Sequence, residues 1–306
     1  MKFQLSTIAL GVVLACASQL AAAQATGTVT QQGNGNTSFA EQFPGQTPAA
    51  MTAAITQIGN NNHVGGPGGT TDGIRQIDAT NVSIVVLQNG SDNNAGVTQR
   101  GVGGVPTIDF ITQIGNANSA KLRLETVSDL YTFINQTGNG NVVDDLQVEA
   151  GTGESRLTQN GNGNRIKVFQ RGTAYGTPQV TQDGDGNVAD VVVDQNPFGG
   201  PGIRQTGTRN SASTVQTDSY ESGISIDQWG SDNQAAAIQR GENDSIGIDQ
   251  DGIGNRASAV QYGPCNLAVI GQLGNFNTAI VRQVGQDWVA NVSQVGSNNY
   301  TNIYQH

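Results

Sequence analysis

At 306 residues the chain is long enough for one or two ordinary domains, but 42 glycines, 12% charged residues and 5% aromatics are not an ordinary domain's composition. A formal net charge of −10 argues against nucleic acid and anionic membrane as partners and fits a solvated, self-repelling surface.

Residues 1–25 read as a secretory signal: Lys2 supplies the positive start, residues 8–15 the apolar core, and the small residues Ala21 to Ala25 the cleavage site. Val13-Leu14-Ala15-Cys16 is a weaker match to a lipoprotein processing site. No other apolar run approaches the roughly 20 residues that span a bilayer, so the chain is expected to be exported and without a membrane span. With Cys16 removed, Cys265 is alone and cannot close an internal disulfide. It is expected as a small buried apolar residue, ahead of an intermolecular bridge.

Beyond the signal one skeleton recurs twelve times. Its opening Gln falls at Gln31, Gln57, Gln88, Gln113, Gln136, Gln159, Gln182, Gln205, Gln228, Gln250, Gln272 and Gln294. An aliphatic residue stands two places before it and Gly two places after. Asn stands five places after, at Asn36, Asn62, Asn93, Asn118, Asn141, Asn164, Asn187, Asn210, Asn233, Asn255, Asn277 and Asn299. Nine units close with a second Gln eleven places on, among them Gln239, Gln261, Gln283 and Gln305; the other three have Gly68, Leu124 and Val193. In the second unit Ile74-Arg75-Gln76 supplies a delayed closing Gln after a Gly-rich insertion, residues 65–73. The units in residues 26–112 are irregular, with a further loop at residues 100–106. From residue 113 to 306 the spacing settles at 23 and then 22.

Inside a unit the alternation of apolar and polar residues has period two on both sides of the Gln-x-Gly-x-x-Asn segment, which means strand, turn, strand. In the turn, Gly supplies positive φ and Asn is expected either to take a left-handed conformation or to bond its own backbone. Two strands alone bury too little to offset their ordering entropy, whereas stacked units pair edge to edge. The fold class is therefore all-β: a parallel β-solenoid with two strands per rung of 22–23 residues, amyloid-like, about 58 Å long if rungs are ~4.8 Å apart. Stacking sets the aliphatics in one column and the small residues Ala189, Ala212, Ala235, Ala257 and Ala279 in another. Stacked Gln and Asn can then bond along the axis as amide ladders. A buried amide left unpaired costs on the order of 1–3 kcal/mol, which accounts for the strictness of those positions.

Charge is concentrated in the middle units: Asp144 and Asp145, then Glu154, then Asp183, Asp185, Asp190 and Asp194. Like charges in register repel, so peptides from these units are expected to assemble more slowly than those at Gln250 and Gln272. Asp183-x-Asp185-x-Asn187 resembles a calcium loop, but Val188 stands where Gly is required, so it reads as a solvated acidic turn. The Gly-Asn-Gly-Asn segments are turn chemistry without the Lys of a phosphate loop. His63 and His306 read as loop residues, and Trp229 as a turn residue, with a carbohydrate contact the weaker reading. No Ser/His/Asp set, paired-acid motif or metal cluster emerges, so neither enzyme activity nor a cofactor is expected.

The motif Gln-x-Gly-x-x-Asn-x-Ala-x-x-x-Gln resembles the curlin repeat of curli, the extracellular amyloid fibres of bacterial biofilms, over roughly residues 27–305. The resemblance implies a subunit secreted unfolded across the outer membrane that polymerises end to end on the cell surface. It implies as partners further copies of itself, other curlin-like subunits and a curli-type outer-membrane secretion machinery. The family's amyloid-forming positions correspond to the opening Gln, the Asn and the closing Gln residues named above. The chain departs from familiar curlins in having more repeats and scarcely any Gly-rich leader. Its last unit keeps the motif to Gln305 and carries no polar cap, so this rung is expected to be an elongation face. Two other readings stand beside this one: a monomeric solenoid adhesin using the loops at residues 63–76 and 100–107, and, less favoured, a solenoid carbohydrate-active enzyme.

Overall fold

A computed structural model describes residues 25–44, 50–65, 73–103, 107–196 and 198–306; the signal segment, apart from Ala25, and Cys16 lie outside the described residues. The chain winds as an all-β solenoid of two parallel sheets, with no helix among the described residues. Each rung gives its first strand to a twelve-stranded sheet, running in chain order from Ala25–Gln32 to Val289–Ser297. Its second strand goes to the facing sheet, which ends at Tyr300–Gln305.

Register is set by the repeat. The twelve opening Gln residues stack one on the next, Gln31 on Gln57 and onward to Gln294. In the facing sheet Ala189, Ala212, Ala235, Ala257 and Ala279 form one column. Alternation decides which side chains enter the core: along Met51–Asn60 the first seven residues are buried at every second position. The aliphatics two before the Gln, from Ile55 to Val292, are all buried.

The insertion in the second unit does not disturb this register. The strand Ile74–Ala79 lies between Ala40–Pro44 and Asn94–Arg100, so Gln76 stacks between Gln42 and Gln99, as the delayed closing Gln requires. Residues 66–72, most of the insertion, lie outside the described residues.

Three local expectations are corrected. Cys265 is exposed, because it occupies a left-handed corner position (φ 61°) rather than an inward strand position. Trp229 lies in the strand Gly223–Ser231, 38% exposed, with the Arg204 guanidinium 6.0 Å from its ring centroid. His63 belongs to the short strand His63–Val64, where its Nδ1 is 2.6 Å from Thr37 Oγ1.

Candidate assembly site: amide ladders and the terminal rung

The opening Gln reaches across the core toward the residue seven places on: Gln294 Nε2 donates to Thr301 Oγ1 at 3.0 Å. A small residue at that facing position leaves room for the amide, which is why Ala recurs there. Gln228 is fully buried and every polar group of its amide is used. Its Nε2 donates to Gln250 Oε1 at 2.8 Å and to the Ser211 carbonyl at 3.1 Å, and its Oε1 accepts from Gln205 Nε2 at 2.8 Å. The same chain of amide bonds links Gln31, Gln57, Gln88, Gln113, Gln136, Gln159, Gln182, Gln205, Gln228, Gln250, Gln272 and Gln294 without a gap. Its polarity is fixed, since every Nε2 points to the following rung.

The Asn residues form the expected axial amide bonds in part, Asn93, Asn118, Asn255, Asn277 and Asn299 each donating Nδ2 to the Oδ1 of the Asn one rung before, and they bond the backbone as well. Asn233 accepts at Oδ1 from the backbone N–H of Asn255, and its Nδ2 donates to the carbonyls of Gly252 and Trp229. Its own N–H donates to Asn210 Oδ1 at 3.1 Å. Each buried Asn therefore staples the corner of one rung to the corners above and below. Asn36, Asn62, Asn93, Asn118, Asn141, Asn164, Asn187, Asn210, Asn255 and Asn277 repeat the pattern. Asn299, in the last rung, accepts none of these bonds but donates two to Asn277.

The Asn is not the left-handed residue. That conformation falls one position earlier, on residues as different as Asn61, Ala117, Arg209 and Phe276 (φ 54–56°). The Gly of the motif has positive φ, as expected, but a stronger reason fixes it. A Cβ on Gly230 would lie 2.1 Å from the carbonyl oxygen of Gly252 in the next rung.

The closing Gln ladder is discontinuous. One run links Gln42, Gln76 and Gln99, and another links Gln216, Gln239, Gln261, Gln283 and Gln305. Leu124 and Val193 interrupt it, and the flanking amides find other partners. Gln99 Nε2 turns to Asp109 Oδ2 at 2.6 Å, Gln147 Nε2 to Asp145 Oδ2 at 2.7 Å, and Gln170 Nε2 to Thr173 Oγ1 and the Gly176 carbonyl. The amide oxygens of Gln147, Gln170 and Gln216 are left without a partner.

Asp109 and Asp145 are fully buried beside the first interruption. Burial pushes the Asp109 carboxyl up to about 7, against hydrogen bonds from Gln99 and from the Thr132 backbone N–H at 3.0 Å. Burial likewise raises Asp145 to about 7, with Asp109 and Asp144 adding to the rise. The sequence reading did not single out Asp109 and grouped Asp145 with Asp144 as like charges stacked in register. The signal was present: in a strand neighbours face opposite ways, and Asp145 shares parity with Val143 and Gln147.

The expected like-charge stacking in the middle units is also corrected. Asp144 stacks between Lys121 and Lys167 and pairs with Arg123 at 3.0 Å. Asp194 pairs with Arg171, Asp190 lies over Lys167, and Asp183 accepts from Asn160 Nδ2. Acid stacks directly on acid at Asp227 and Asp249, where burial and Asp227 together raise the Asp249 carboxyl.

At the C-terminal end the strands Val289–Ser297 and Tyr300–Gln305 each pair on one side among the described residues. They present Val295 (71% exposed), Tyr300 (67%) and Val289 (62%) on their outer faces, more open than Leu273 (53%) and Leu267 (38%), which stack on Val295 and Val289 one rung in. Gln294 and Gln305 occupy their ladder positions there.

Stacked rungs, two sheets in register and axial amide chains define a β-solenoid repeat protein. Residues 254–285 match the family model of the curlin associated repeat, so the chain carries a curlin repeat, consistent with a curlin-family repeat protein. The matched stretch runs from the corner of one rung through the closing Gln283 of the next, the unit whose skeleton the other rungs repeat. No curated protein matches the chain. No helix among the described residues is long and apolar enough to cross a membrane, and no group of His, Cys, Asp and Glu among them could hold a metal ion.

Proposed function

We propose that this chain is a secreted structural subunit that assembles end to end into curli-like extracellular fibres, serving a biofilm matrix and cell adhesion without catalysis. The observation that carries the reading is the opening-Gln chain, which runs unbroken and in one polarity to Gln294. Gln294 and Gln305 sit at ladder positions in strands that pair on one side among the described residues. A second copy seated there would add backbone pairing and extend both Gln ladders in their fixed polarity. The opening Gln, the Asn and the closing Gln act as the templating groups. The matched curlin repeat supports the same reading, including export through a curli-type machinery.

The test is concentration-dependent fibre growth that preformed fibres seed, compared with a chain lacking residues 294–306. Growth slowed by the deletion supports the open rung as the growing face, and unchanged kinetics remove it. A chain that stays single and ignores seeds favours a solenoid adhesin that works as a monomer.

A further inference from the structure

Asp109 and Asp145 are both completely buried, in successive rungs and in opposite sheets, close enough for the charge of Asp109 to act on Asp145. Asp109 stacks on Thr132, which shares a rung with Asp145, and Asp145 stacks on Leu122, which shares a rung with Asp109. Among the described residues no ion pair reaches either carboxyl, and the nearby Arg123 only partly offsets the rise at Asp145. Arg123 and Asp144 pair with each other on the outer face of the second sheet, flanked by Lys121 and Lys167. On the outer face of the first sheet stand Tyr131 and the Arg156–Glu154 pair. Thr107–Asn116 and Val82–Ser91 carry no other ionisable side chain. Asp145 Oδ1 has no hydrogen-bond partner. A protonated carboxyl could donate to a neighbouring oxygen, and the unpartnered Gln147 Oε1 lies in the same strand.

We propose that these two carboxyls make the middle of the solenoid a proton-operated latch, closed when both are protonated and loosened when both are ionised. The sign follows from depth and pairing. Two carboxylates in a dry slice cannot both ionise without a desolvation cost and mutual repulsion, whereas in the unfolded chain they ionise freely. The folded state therefore holds more protons than the unfolded state between about pH 4 and the raised folded values near 7. The cost is absent below that window, grows through it and is constant above it. Mild acid thus favours the folded rungs from Gln113 to Gln136, and alkaline conditions open them first.

The experiment reads folding of the whole chain, not fibre growth, so its failure would leave the assembly reading intact. Unfolding midpoints in denaturant are measured from about pH 4 to about pH 8 for the wild type, Asp109→Asn, Asp145→Asn and the double variant. In the wild type the folded-to-unfolded ratio should fall on the order of 10³- to 10⁵-fold across this window, several hundred-fold for each carboxyl. The double variant, whose amides are neutral throughout, should lose most of that slope and exceed the wild type at the alkaline end. A double variant with the wild-type slope, or a wild type without one, overturns the proposal. Where the double variant fails to fold, the wild type's infrared spectrum decides. A protonated-carboxyl band persisting at about pH 6, where a free Asp is ionised, supports the latch, and its absence sinks it.

Discussion

Replacing Gln228 by Met keeps the length of the side chain and removes its polar groups. Gln250 Oε1 would lose the donor it now has at 2.8 Å and be left buried. Gln205 Nε2 would lose one of two acceptors and keep the Val188 carbonyl at 3.0 Å. An unpaired buried oxygen costs about 1–3 kcal/mol and a lost net hydrogen bond about 1 kcal/mol, partly offset by burying an apolar side chain. The expected destabilisation is about 1–3 kcal/mol. Solenoid stability is summed from neighbouring rungs, so it should be localised. Amide hydrogen exchange read rung by rung should show the protection loss centred on the strands Gly202–Thr208, Gly223–Ser231 and Ser245–Ile253. The reverse change is the control. Val193→Gln fills a natural gap beside the unpartnered Gln216 Oε1 and should stabilise the flanking rungs by a similar amount. Unchanged protection with Met at 228, together with no gain from Gln at 193, would show that the amide chains contribute nothing to the fold.

Gly252→Ala would set a Cβ 1.9 Å from the Gly274 carbonyl oxygen at φ +128°, so the rung spacing cannot survive. Gly247→Ala meets nothing within 4 Å. Circular dichroism should show sheet content lost in the first and kept in the second; a folded Gly252→Ala chain would refute the steric account. An isolated peptide stacks only on itself, so residues 179–196 would place acid over acid, without the Arg171 and Lys167 that neutralise them in the chain. That peptide should form fibres more slowly than residues 267–284, and added salt should narrow the gap; equal rates at low salt would count against this. The Cys265 thiol should react with a labelling reagent in the folded chain nearly as fast as in denaturant, and strong protection would contradict its exposed corner position.

The period, the strand–turn–strand unit, the parallel solenoid and the facing columns follow from the sequence. In a stack of near-identical rungs the partner of each residue is its own counterpart one repeat away, so spacing alone identifies it. The delayed Gln76 is the clearest case: one residue type at the right phase located the closure across an insertion. What depended on depth and on neighbours of a different kind needed the tertiary structure. The glycine is fixed by the next rung's carbonyl, the left-handed residue falls before the Asn, and the middle acids meet Arg and Lys rather than one another. The burial of Asp109 and Asp145 belongs to the same class, because their ionisation is set by how dry the slice is once two sheets close over it. A linear pattern gives the direction in which a side chain points, while the cost of pointing there is set by what faces it across the core.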